Sequence, residues 1–262
     1  MSVSRQVVAV VLAAGKGTRM KSALPKVLHE AAGRPLLGWV LQTAREIGCD
    51  RIVVVIGHGA DEVERRFAAA DVRFVVQEPQ LGTGHALMQA GPEVSGDATV
   101  LVLSGDVPLV RAETLRALLA AAGGSGAAMA VADLEEPAML GRVLATADGR
   151  LDAIVEFRDA TPEQRAVRTI NAGLYALPAP RIFDELGRLS PDNAQGELYL
   201  TDAVTALARE GEGVALLRLD DPREAIGVNT RAELAQVHRI LVERKLLDLM
   251  AAGVTVLEPQ RT

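Results

Sequence analysis

Four short runs constrain this chain more than anything else in it: VVAVVL (7–12), RIVVVIG (51–57), VRFVVQ (72–77) and ATVLVLSGD (98–106). None alternates apolar with polar residues. A strand with one wet face alternates; an unbroken apolar run of this length belongs to a strand buried on both faces. Between the runs the spacing becomes helical. Leu36, Leu37, Val40, Leu41, Ala44 and Ile47 recur at steps of three and four, and Gly48 is placed to end that helix. Residues 60–70, 83–91 and 112–122 read as the next three helices. The β-α-β alternation predicts an α/β fold, a Rossmann-like open and mostly parallel sheet with helices on both faces.

The pattern changes after Gly126. AAMAVADL (127–134) reads as a strand, and residues 141–157 as a hairpin turning at Asp148-Gly149. TINAGLYAL (169–177) is a further strand. Helices are expected near 180–189 and 200–210, a strand at VALLRL (214–219), and a long helix from about Thr230 to Ala252. The expectation is one domain over 1–229, with a nucleotide-type lobe over about 1–126 and a smaller lobe over about 127–229. A C-terminal helix and tail (230–262) follow, with no internal repeat and no linker.

Composition narrows the function classes. A net charge of −6 speaks against a nucleic-acid partner. MSVSRQVVAVVLAAG meets glycine too soon for a signal peptide and reads as a strand, and no stretch is long enough to cross a bilayer. Cys49 is the only cysteine, which excludes an intrachain disulfide and fits a reducing cytoplasm. It reads as a packed thiol.

In open α/β sheets ligands bind beyond the carboxyl ends of the strands. Three candidates fall there: the 13–19 loop, Gln77 and Asp106. In LAAGKGTRMKSALPK the small residues around Gly15 let phosphate oxygens approach backbone N–H groups, and Arg19 and Lys26 add charge-assisted bonds. Lys16 and Lys21 read as solvated. The loop is neither a Walker A motif nor GxGxxG, since position 20 is Met. Asp106 lies too far upstream to cap the helix near 112. Mg²⁺ is held by one or two protein oxygens plus substrate phosphates, which suits Asp106. Asn229 is its candidate second oxygen, and equally a candidate cap for the last helix. In QLGTGHA (80–86), the glycine before a helix start offers either a plain strand end and helix cap or, at Gly82 and Thr83, backbone for a flat base. The Gln77 amide offers a donor and an acceptor side by side, as the imide edge of uracil requires. His29, His58, His85 and His238 form no zinc pattern, none is assigned catalysis, and no GxSxG elbow occurs.

LAAGKGTRMKSALPKVLH resembles the signature of the sugar-phosphate nucleotidyltransferases. QLGTGHA, GDVPL, IVEFRDAT, INAGLYA, NAQGELYLTD and GVNTRAEL, in that order along the whole chain, resemble the uridylyltransferase domain of the bacterial N-acetylglucosamine-1-phosphate uridylyltransferase family. The resemblance implies Mg²⁺-dependent transfer from UTP to N-acetylglucosamine 1-phosphate, giving UDP-N-acetylglucosamine and pyrophosphate for peptidoglycan synthesis. It implies that the backbone of Leu12, Ala13, Ala14 and Gly15 holds the nucleotide and that Arg19 and Lys26 bind phosphates. Gln77, Gly82 and Thr83 would read uracil, and Ser104 and Gly105 would line the site. Gly141, Glu156, Asn171, Tyr199 and Thr201 would contact the amino sugar or its phosphate, and Asp106 with Asn229 would hold the metal. Ser104, Met139-Leu140 and Ala172 stand where the family has Tyr or Cys, Gly-Tyr and Thr; these departures fall on the sugar side and bear on the acceptor. The bifunctional members continue into a β-helix of hexapeptide repeats with acetyltransferase activity, and no such repeat is present here, so a monomer or weak dimer is expected. A related transferase with another sugar 1-phosphate, or a non-catalytic nucleotide-sugar sensor, are the alternatives. The complete set of Arg19, Lys26, Asp106 and Asn229 argues against the sensor.

Overall fold

A computed structural model describes residues 5–209 and 213–261. The first four residues, position 210 of the helix expected over 200–210, and the last residue of the tail lie outside the described residues. In chain order the elements are β1 (Val7–Leu12), β2 (Glu30–Ala31), β3 (Arg34–Pro35), α1 (Leu36–Glu46), β4 (Arg51–Ile56), α2 (Ala60–Phe67), β5 (Val72–Val76), α3 (Thr83–Gln89), β6 (Thr99–Ser104) and α4 (Ala112–Ser125). They continue with β7 (Ala128–Asp133), β8 (Arg142–Ala145), β9 (Leu151–Val155), α5 (Pro162–Arg165), β10 (Thr169–Pro178), α6 (Ala179–Leu186), α7 (Leu200–Ala208), β11 (Ala215–Arg218) and α8 (Arg231–Ala251). The expected strands and long helices are present, with ends shifted by a few residues. The β2–β3 pair and α5 have no counterpart in the sequence reading.

Among the described residues the main sheet has nine strands in the order β11-β7-β10-β6-β1-β4-β5, with β8 and β9 attached through β10. β1 runs parallel to β4 and β6, β4 to β5, and β7 to β11. β10 is antiparallel to both β6 and β7. The change of pattern near residue 126 therefore does not divide the sheet.

The unbroken apolar runs have a direct cause. Ala9, Val11, Val54, Leu101 and Leu103 face one buried cluster with residues of α1 and α4. Val8, Val10, Val53, Val55, Val100 and Val102 face a second with residues of α3, α6 and α7. Burying each such side chain stabilises by about 1.5–3 kcal/mol, so both faces must stay apolar. α8 lies over a third cluster that includes Met20, Leu36, Leu109, Val237 and Leu241, which ties the C-terminal helix to the loop after β1. Cys49 is packed against the first cluster, and burial pushes its thiol up to about 11, which keeps it protonated.

Candidate active site

Beyond the carboxyl ends of β1, β5 and β6 lies a cavity of about 560 Å³. Leu12, Ala13, Ala14, Gly15, Arg19, Lys26, Gln77, Gly82, Thr83, Ser104, Asp106 and Asn229 all line it. Lys16 lines it as well, as an exposed side chain. Gly105 is not in the wall. Its N–H donates to Leu12 O at 2.9 Å, and a side chain there would meet the Ala13 Cβ at 3.2 Å. Its role is to let β1 and β6 end close together. A side chain on Gly15 would meet no atom within 4 Å, because the residue faces the open cavity; backbone is what the wall presents at that point. At Gly17, with φ +60°, an added Cβ would come within 2.7 Å of the Lys26 Cβ, so the loop and Lys26 are packed backbone to side chain.

Lys26 Nζ donates to the Asp106 carboxylate and to Asn229 Oδ1, the latter at 3.1 Å. Three segments far apart in sequence thus meet at the cavity floor. The cap role open to Asn229 falls to its neighbour. Thr230 is the N-cap of α8, in a capping box in which Glu233 N donates to Thr230 Oγ1 and Glu233 accepts from Thr230 N. Glu233 also accepts from Asn229 N at 2.8 Å, which fixes that backbone and leaves the Asn229 side chain turned to Lys26. One carboxylate and one amide oxygen around an ammonium form a donor set that fits a hard divalent cation sharing its shell with phosphates. The described residues contain no group of three or more His, Cys, Asp or Glu able to cage a metal.

Gln77 is buried at the end of β5. Its Nε2 donates to Gly82 O at 2.9 Å and lies 3.2 Å from His85 Nδ1. The expected side-by-side donor and acceptor is therefore modified. Nε2 is committed to a partner inside the protein. Gly82 has φ +111°, and a Cβ there would meet Leu198 O at 2.7 Å. Leu198 N donates to Leu81 O and Gly84 N to Leu198 O, both at 2.8 Å, while Thr83 Oγ1 accepts from Leu200 N at 3.1 Å. The GTG turn and the 193–200 segment are thus one unit, which puts Glu197 in the cavity wall. Gln80 also lines the cavity and donates to Ala14 O at 2.7 Å, tying this turn to the loop after β1. Sequence reading missed Gln80 and Glu197, though both lie in or beside motifs it singled out.

The acceptor candidates Gly141, Glu156, Asn171, Tyr199 and Thr201 do not line this cavity; Asn171 N donates to Gly141 O at 3.0 Å, and Glu156 lies beside Gly141 and Thr201. β10 is irregular between Asn171 and Tyr175, and Gly173 in between has φ +71° and lies against Ser104. Asn171 accepts from Gly173 N at 2.9 Å and donates to the Tyr175 hydroxyl at 2.6 Å. Thr201 Oγ1 donates to Glu156 Oε1 at 3.1 Å, and Gly141 leaves room for that carboxylate. Burial raises the Glu156 carboxyl above the usual range. The Thr201 bond works the other way, and nearby Asp202, Asp159 and Glu197 add to the rise. The Tyr199 hydroxyl accepts from Gln195 at 2.7 Å. Of the departures, Ala172 packs into the first core cluster. Met139 and Leu140 are exposed on the loop before Gly141.

Residues 9–252 match the family described as MobA-like NTP transferase domain. The chain belongs to that family. Within the NTP transferases it is 51% identical over 252 residues to the bifunctional protein GlmU of Azotobacter vinelandii, with 96% of this chain and 55% of that protein covered. It is 48% identical over 258 residues to GlmU of Trichlorobacter lovleyi, covering 97% and 56%, and 50% identical to GlmU of Pseudomonas aeruginosa over 252 residues, covering 96% and 55%. The chain spans about half the length of these relatives. A solved structure of UDP-glucose pyrophosphorylase complexed with UDP-glucose superposes with a TM-score of 0.76 at 18% identity, over 92% of this chain and all of that one. That likeness shows the NTP transferase fold. No helix among the described residues is long and apolar enough to cross a membrane.

Proposed function

We propose that this chain transfers a uridylyl group from UTP to N-acetylglucosamine 1-phosphate, forming UDP-N-acetylglucosamine and releasing pyrophosphate, in the cytoplasm and as a monomer or weak dimer. The observation that carries the reading is the meeting of Lys26, Asp106 and Asn229 at the floor of a glycine-walled cavity. The half-length match to GlmU proteins supports the choice of acceptor.

The attacking group is an oxygen of the sugar 1-phosphate, which has a second pKa around 6 and is largely dianionic at neutral pH. It bonds to the α-phosphorus of UTP as the bond to the bridging oxygen of pyrophosphate breaks. No proton has to be removed, which agrees with a site that brings no histidine to the attacking oxygen. Leu12 to Gly15 present backbone to the phosphates, and Arg19 and Lys26 offset the charge that gathers as the two anions meet. Gln77 Oε1 accepts from uracil N3–H. Glu156, Asn171, Tyr199 and Thr201 orient the sugar, with residues 127–229 acting as the acceptor lobe, and holding both substrates in line supplies much of the rate. Asp106 Oδ and Asn229 Oδ1 would hold Mg²⁺, which acts as clamp and Lewis acid for the phosphates when bound.

The test is pyrophosphate release over a panel of UTP, CTP, ATP and GTP against N-acetylglucosamine, glucose and galactosamine 1-phosphates. UTP with N-acetylglucosamine 1-phosphate is expected to give the highest kcat/KM. A higher value for another pair replaces the substrate assignment, and no release with any pair overturns the reading as an enzyme.

A further inference from the structure

Arg142 is a charged side chain that the reaction does not use, yet only 2% of it is exposed. It opens β8, immediately after Gly141. Its guanidinium faces carbonyl oxygens. It donates to Leu140 O, to Ala138 O at 2.9 Å and to Arg165 O at 3.3 Å. It also lies over the Phe157 ring, 5.4 Å from the centroid, and Arg165 lies over the same ring at 4.8 Å. Burial and the neighbouring Arg165 both disfavour its charge, so these contacts are what offset the cost of keeping a cation there.

The contacts bracket Glu156. The segment 138–141 ends at Gly141, whose Cβ position is 3.4 Å from both Glu156 carboxylate oxygens, and Phe157 directly follows Glu156. The carbonyls of Ala138 and Leu140 belong to no strand or helix. Ala138 has φ +48°, a left-handed conformation that a non-glycine residue adopts at a cost, and its carbonyl is one that Arg142 holds. The β8–β9 pairing and the bond from Asn171 N to Gly141 O place the strand itself. Arg142 adds the position of the loop before it.

We infer that Arg142 is a positioning residue that clamps the 138–141 loop and Phe157 on either side of Glu156, and so sets the affinity for the sugar 1-phosphate without touching it. The inference rests on the acceptor assignment of Glu156 made above. Its test is steady-state kinetics of Arg142→Ala and Arg142→Lys with the sugar 1-phosphate that the wild type prefers, beside hydrogen exchange at the Leu140 and Gly141 amides. For Arg142→Ala the acceptor KM rises by about tenfold or more, the scale of losing hydrogen bonds from a charged donor, while the UTP KM stays near the wild-type value. Arg142→Lys keeps a cation and donors and recovers part of the loss, and both variants exchange faster at the two amides. Equal changes in the UTP and acceptor KM, or an acceptor KM for folded Arg142→Lys equal to wild type with unchanged exchange, overturn the proposal. If the wild type accepts no sugar phosphate, the functional reading fails by itself; the exchange measurement still decides whether Arg142 holds the loop, and unchanged protection there overturns the inference.

Discussion

Lys26 Nζ donates to Asn229 Oδ1 at 3.1 Å, across 203 positions of chain. The bond separates two neighbours with different tasks: Asn229 serves the cavity and Thr230 serves the helix. Asn229→Ala is expected to weaken divalent-cation dependence and leave the thermal midpoint nearly unchanged. Thr230→Ala is expected to cost about 1 kcal/mol of stability and leave the metal titration alone. Thermal melts and metal titrations of both variants check this, and a destabilised Asn229→Ala with normal metal dependence would return Asn229 to the capping role.

The Lys26 ammonium lies on the same two oxygens that suit a cation. Lys26→Ala removes that charge from Asp106 and Asn229 and removes a phosphate partner from the cavity. Turnover is expected to fall by roughly a hundredfold or more. Mn²⁺ binding measured without nucleotide should become tighter than in the wild type. Equal Mn²⁺ affinity in the two proteins would separate Lys26 from the cation site.

Glu156 carries a raised carboxyl pKa, chiefly from burial. Folding therefore favours its protonated form, and the ionised form costs stability. The sign follows: below the ordinary value of 4.5 both states are protonated and the cost vanishes, and it grows as pH rises above 4.5 through the raised folded value. Glu156→Gln should melt higher than the wild type at pH 7 and lose that advantage near pH 4, while its acceptor KM rises. Melting curves over this range decide it; an advantage independent of pH would assign the gain to packing.

Gln77 Nε2 donates to Gly82 O at 2.9 Å. Gln77→Glu replaces that donor with an oxygen facing a carbonyl and adds charge beside the triphosphate. The value of kcat/KM for UTP is expected to fall by roughly one to two decades. Comparing UTP and CTP in both proteins is the measurement, and an unchanged UTP value would leave Gln77 as a strand end only.

The strands were legible because burial on both faces of β1, β4 and β6 leaves no polar alternation to confuse the period. One wall of the cavity was legible because Gly15, Arg19 and Lys26 lie within one short stretch, and all three line it. The place of β10 was not. TINAGLYAL reads the same whether it joins an edge or enters between β6 and β7, and its reversed direction is set by long-range packing. The metal and cap roles of Asn229 were level because a polar residue before a helix suits either, and only the reciprocal bonds of Thr230 and Glu233 place the cap one residue later. Gln80 was passed over because its partner is the Ala14 carbonyl, 66 positions away.

The reversal of β10 has a consequence for how such a site can diversify. A parallel strand delivers residues to the ligand rim from the loop that follows it, as β1 and β6 do. β10 runs the other way, so Asn171, near its beginning, reaches the same rim from the chain that precedes it. The loop after β1 and Asn171 are therefore brought to one rim of the sheet by segments that have no direct connection. Insertions or replacements ahead of β10 can remodel that part of the rim while the loop after β1 keeps its length and register, so one side of the site can change without rebuilding the other.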